Sequence, residues 1–159
     1  MKKPFIMVVD DNRITTKLLR RYLEASGYEA REAYDGIDCL EKVEEQVPDA
    51  IVLDVMMPRL DGYETVKRLK SQPKTKDVPV VIVTALNDVA NQLKSIDAGA
   101  DDFLSKPIEE KLLTAKVKML SGVHLQRKRN DALTELLKRA LKGELAGKTF
   151  DELIEEIEN

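Results

Sequence analysis

Ala50-Ile51-Val52-Leu53-Asp54-Val55-Met56-Met57-Pro58-Arg59-Leu60-Asp61-Gly62 is the stretch on which the fold turns. Residues 50–55 are apolar and rich in β-branched side chains, with one carboxylate, Asp54, near the end. A run like this predicts a strand buried on both faces, as in a parallel sheet covered by helices. Asp61-Gly62 then reads as a turn.

Working outward, the runs at 5–9 and 78–85 have the same character. Runs at 28–33 and 102–105 are more polar, and the latter is shorter, which suits the edges of a sheet. Helical periodicity fills the intervals. Ile14, Leu18, Leu19, Tyr22 and Leu23 share one face, with Gly27 just past the helix end. Ile37, Leu40, Val43 and Val47 mark a second helix, Val66 and Leu69 a third, and Val89, Leu93 and Ile96 a fourth that stops near Gly99. Ile108, Leu112, Leu113, Val117 and Leu120 begin a fifth. Alternating strands and helices predict right-handed crossovers and an α/β layer fold.

Beyond Leu120 the pattern changes. Leu133, Leu136, Leu137 and Leu141 form another stripe, and Thr149 with Glu152 reads as a capping box ahead of Phe150, Leu153, Ile154 and Ile157. The chain is therefore expected to divide into a domain over 1–122 and a helical extension over 123–159, the extension forming two helices, the first either separate from the fifth or continuous with it. A length of 159 residues suits one domain with an extension.

Composition narrows the function. Charged residues make up 35% of the chain but the net charge is only −3, which argues against a dedicated nucleic-acid or polybasic membrane surface. Arg127-Lys128-Arg129 reads as a solvated helix face, and no helix-turn-helix follows it, so DNA binding is not expected. No apolar run reaches membrane-spanning length. The single cysteine, Cys39, reads as a small packing residue and fits a reducing cytoplasm. The single histidine, His124, is expected to face solvent.

In α/β sheets, function gathers where the strands end at their carboxyl edge. The first strand ends in Asp10-Asp11, the third in Asp54, the fourth in Thr84 and the fifth in Lys106-Pro107. Clustered carboxylates need a cation at neutral pH. An all-oxygen set suits Mg²⁺. A carboxylate is also a competent nucleophile toward phosphorus, and Lys106 and Thr84 can meet the phosphoryl oxygens.

This set resembles the signature of response-regulator receiver domains, over roughly residues 4–122. The loop Met57-Pro58-Arg59-Leu60-Asp61-Gly62 and the stretch Gly99-Ala100-Asp101-Asp102-Phe103-Leu104 before Lys106 belong to the same resemblance. It implies a doubly wound parallel sheet of five strands in the order 2-1-3-4-5, with five helices, the extension being additional. It implies Asp54 as phosphoacceptor, and Asp11, Asp54 and the Met56 backbone carbonyl as Mg²⁺ ligands, with Asp10 acting mainly through a bound water. Thr84 and Lys106 would sense the phosphate, Phe103 would be the aromatic switch, and the Lys106–Pro107 peptide would be cis. Its partners would be a histidine kinase or phosphotransfer protein, and a downstream protein or a second copy of the chain. Met56 and Leu86 hold the two positions that tune phosphoryl lifetime in that family, and both are apolar, so slow hydrolysis is expected.

Two other readings stand beside this one. The chain could be the receiver part of a longer regulator. Alternatively, it could be a Mg²⁺-dependent phosphatase of the haloacid-dehalogenase type, but that family needs a second aspartate two residues after the nucleophile, where this chain has Met56. With no output enzyme recognisable, the chain is expected to act as a switch and not as a turnover enzyme.

Overall fold

The computed structural model describes residues 2–85 and 89–158. Strands β1 (Phe5–Val9), β2 (Glu29–Ala33), β3 (Ala50–Asp54), β4 (Val80–Thr84) and β5 (Asp102–Ser105) alternate with helices α1 (Arg13–Ala25), α2 (Gly36–Glu45), α3 (Gly62–Ser71), α4 (Val89–Ala98) and α5 (Glu110–Leu141). Helix α6 (Phe150–Glu158) closes the chain. All strand pairs are parallel, in the order β2-β1-β3-β4-β5. The two more polar runs are indeed the edges.

Side chains alternate across a strand, so each central strand feeds two cores. Met7, Val9, Ile51, Leu53 and Ile82 pack under α2, α3 and α4, against Cys39, Val43, Val66, Leu69 and Ala98. Ile6, Val8, Val52, Val81 and Val83 pack under α1 and α5, against Leu19, Leu23, Leu113 and Val117. Cys39 is fully buried, and burial pushes its thiol up to about 12, so it packs as an apolar group and stays protonated. Asn12 caps α1 by accepting from the Ile14 and Thr15 amides. Beyond that helix Gly27 takes φ +92°, a conformation that suits glycine.

Several apolar stripes face outward, contrary to what their periodicity suggests. Ile14 and Leu18 on α1 are exposed, and the buried row is Thr16, Leu19 and Leu23. On α4 the buried row is Ser95 and Ala98, while Val89, Leu93 and Ile96 point to solvent. Small side chains let that helix lie close to the sheet and turn its larger ones outward.

Helix α5 is continuous through residues 110–141, about 48 Å at the α-helical rise. It therefore runs across residues 122 and 123 without a break. Its end is closed by Gly143 at φ +76°, with the Glu144 amide donating to the Arg139 carbonyl. The Thr149–Glu152 capping box forms reciprocally. Arg139 and Lys148 pair with Glu156 and hold α6 back against α5. Leu133, Leu137 and Leu141 are left exposed. Among the described residues no helix is long and apolar enough to cross a membrane.

His124 corrects the expectation of a solvent-facing side chain. It is buried, with Nδ1 at 3.0 Å from the Asp77 carbonyl and Nε2 buried with no partner among the described residues. One turn on, Lys128 pairs with Asp49 at 3.3 Å, and Asp49 also accepts from the Phe5 amide. The middle of α5 is thus fastened to the amino-terminal edge of the sheet. Burial and the nearby Lys128 charge lower the His124 pKa, against the opposing pull of Asp49 and the Asp77 carbonyl. Above the ordinary value of 6.5 the imidazole is neutral whether the chain is folded or not. Below it the unfolded chain binds a proton that the folded chain resists, so stability falls as pH drops through that value. Urea midpoints between neutral pH and about pH 5.5 should fall more for the native chain than for His124→Gln. Parallel losses in the two would refute this.

Candidate functional site

Asp54 is the last residue of β3 and follows Val52 on the row facing α1 and α5. Asp10 and Lys106 stand two residues beyond Val8 and Leu104, which line that same core. The carboxyl ends of three strands therefore deliver an acid, an acid and an amine to one place. Asp10, Asp11 and Asp54 each offer an oxygen, and these lie within 4.8 Å of one another. Asp10 and Asp54 are buried and Asp11 is exposed, so the cluster opens on one side.

Lys106 Nζ lies 3.2 Å from Asp10 and 3.3 Å from Asp54. The Asp10 carboxylate also accepts from the Asn12 amide at 2.9 Å, which sets its direction. Burial, followed by repulsion from Asp10, raises the Asp54 pKa even though Lys106 pulls it down. Burial works against the Lys106 ammonium, but Asp54 and Asp10 outweigh it and raise its pKa. One ammonium between two buried carboxylates leaves negative charge uncompensated. An all-oxygen donor set with such an excess fits a hard divalent cation.

Thr84 ends β4, is buried, and its carbonyl accepts from the Lys106 amide at 2.9 Å. The Lys106–Pro107 peptide is cis. Phe103 lies outside the carboxylate cluster, half-buried on β5 and packed against the core under α4. The Met56 side chain is 66% exposed. Leu86 lies outside the described residues.

Two further residues, given no role above, meet beside the site, one in the loop after β3 and one ahead of α2. Arg59 takes φ +66° and its guanidinium pairs with Asp35, ahead of α2. Asp35 is buried and also accepts from the Asp38 amide at 2.8 Å, capping α2. The only sequence hint was Asp35-Gly36 at a helix start.

The model of the response regulator receiver domain matches residues 6–118. The chain belongs to that family. The receiver is 44% identical over 115 residues to the response regulator MprA of Mycobacterium ulcerans, covering 72% of this chain and 49% of MprA. It is 38% identical over 142 residues to the response regulator PleD of Caulobacter vibrioides, covering 89% of this chain and 30% of PleD. The chain thus spans half or less of the length of these relatives. It also resembles the receiver domain of a Pseudomonas aeruginosa sensor histidine kinase, with a TM-score of 0.71 and 28% identity over 76% of this chain and 99% of the other. That crystal structure holds a magnesium ion in its active-site cleft.

Proposed function

We propose that this receiver accepts a phosphoryl group on Asp54 from a histidine kinase or phosphotransfer protein. An Asp54 carboxylate oxygen forms a bond to phosphorus as the bond from phosphorus to the donor nitrogen breaks. The observation that carries this is the meeting of Asp10, Asp11 and Asp54 within 4.8 Å, with Lys106 bridging two of them. Asp11, Asp54 and the Met56 carbonyl, with Asp10 through water, would hold Mg²⁺. When bound, that ion supplies positive charge that offsets the carboxylates and the incoming phosphate. Lys106 meets one phosphoryl oxygen by charge, and the Thr84 hydroxyl donates to another.

Thr84 and Phe103 then couple the site to the surface made by α4, β5 and α5. That surface already exposes Val89, Leu93, Ile96, Leu112 and Met119. A change there alters the preference for a downstream protein or for a second copy of the chain. Residues 1–122 are the receiver in this reading and 123–159 the helical extension that carries the response onward. The chain works as a cytoplasmic switch filled once per cycle and not as a turnover enzyme.

The test is exposure to acetyl phosphate with and without Mg²⁺, read by intact mass. One phosphoryl group per chain, dependent on Mg²⁺, is expected. Continuous release of phosphate, or equal labelling in excess EDTA, would overturn the proposal.

Lifetime supplies a second measurement. Met56 is apolar and cannot orient an attacking water by a charge-assisted bond. Once excess donor is removed, the acyl phosphate should hydrolyse slowly, and a half-life of seconds would contradict this.

A further inference from the structure

We propose that the Arg59–Asp35 ion pair is the clamp that positions the loop after β3 for cation binding. The inference rests on the proposed cation role of the Met56 carbonyl.

The loop from Val55 to Gly62 is closed at its base. The Gly62 amide donates to the Val55 carbonyl at 2.8 Å, and the Leu60 amide to the Pro58 carbonyl at 2.8 Å. Between those two acceptors, the Met56 carbonyl takes no backbone hydrogen bond from the described residues. It is therefore free of competing backbone donors among the described residues, and its direction depends on how the loop is held. The far side of the loop is held by Arg59. That residue occupies the left-handed region, which side-chain-bearing residues adopt only when their surroundings demand it. Its guanidinium reaches Asp35, 24 residues away in sequence, with Nε at 2.9 Å from Oδ2 and a second nitrogen on the same oxygen.

Asp35 is a fixed anchor. It is buried, it caps α2, and the next residue leaves no slack. A Cβ added at Gly36 would lie 2.2 Å from Thr65 Oγ1 and 3.0 Å from the Leu60 carbonyl oxygen. The start of α2 is thus packed directly against the loop that Arg59 grips. An exposed arginine on a buried, capped carboxylate ties the two segments together, so Arg59 and Asp35 are positioning residues and not ligands.

Two variants isolate the clamp. Asp35→Asn keeps a good helix cap but removes the charge. Arg59→Gly keeps the left-handed backbone but removes the grip. Titration of the 159-residue chain with Mg²⁺ by calorimetry should show both binding about tenfold more weakly, the low end for residues that support a metal ligand from outside. The double variant should be no weaker than either single one. Phosphoryl uptake from acetyl phosphate should need correspondingly more Mg²⁺ and recover when it is raised.

Charge alone predicts something different. Removing the Arg59 cation would then tighten Mg²⁺ binding while removing the Asp35 anion weakened it. Opposite shifts, unchanged affinities, additive losses, or a loss of uptake that Mg²⁺ does not restore would each overturn the clamp. Failure of the native chain to bind Mg²⁺ would overturn the cation reading beneath it, whatever the variants do.

Discussion

The Asp54→Asn chain is expected to take up no phosphoryl group at any concentration of acetyl phosphate and Mg²⁺, while remaining folded. The substitution keeps the shape of the side chain at the end of β3, where Asp54 is almost fully buried. It removes the anionic oxygen that must form the bond to phosphorus, and an amide oxygen is a far weaker nucleophile. Lys106, Thr84, Asp10 and Asp11 stay in place, so the change is confined to the one oxygen assigned to make that bond. Labelling at the native stoichiometry would move the acceptor elsewhere.

The same substitution should stabilise the metal-free chain. Burial and the neighbouring Asp10 raise the Asp54 pKa, so the folded state holds its proton longer than the unfolded state does. The stability this group contributes is fully present below its ordinary value of 3.8 and is lost as pH rises through the raised folded value. At neutral pH the ionised Asp54 is therefore a burden that asparagine removes. The urea midpoint of Asp54→Asn should lie above that of the native chain without Mg²⁺, and the difference should shrink in acid. A lower midpoint at neutral pH would show that the Lys106 contact outweighs the burial.

Gly62→Ala should be the most damaging single methyl in the chain, costing about 3 kcal/mol of folding stability. A Cβ at Gly62 would meet the Asp54 carbonyl oxygen at 2.4 Å and the Val55 Cα at 2.7 Å. Both are backbone atoms at the end of a buried central strand, so neither moves aside as the tip of a side chain would. Relief requires shifting the first turn of α3 away from β3, and that shift would also carry Asp54 out of register with Asp10. Gly122→Ala is the control. It lies within α5 with nothing within 4 Å of the added carbon. Alanine there should stabilise by about 0.5–1 kcal/mol through helix propensity alone. Chemical denaturation of the two variants beside the native chain decides the matter, and a loss at Gly62 no larger than the usual cost of a surface change would refute the contact argument.

Most of the architecture could be read from local pattern. Continuous apolar runs identified β1, β3 and β4 as central, and the polar runs identified β2 and β5 as edges, because burial on two faces leaves no polar positions. The site followed from the same runs, since Asp10, Asp54, Thr84 and Lys106 all stand where a strand ends. Residue spacing located these strand ends because strand and helix geometry repeats along the chain. It also marked Gly27 and the Thr149–Glu152 box as helix boundaries, where the signal is carried within three or four residues.

The tertiary structure alone decided what each face meets. Periodicity shows that Val89, Leu93 and Ile96 share a side of α4, but only packing turned Ser95 and Ala98 toward the sheet. His124 sits in a polar helical stretch, and its burial depends on Asp77, 47 residues earlier. The grip of Arg59 on Asp35 spans 24 residues. These contacts leave no local repeat to read, because they arise from loops and helices brought together by the sheet and not from the geometry of any one element.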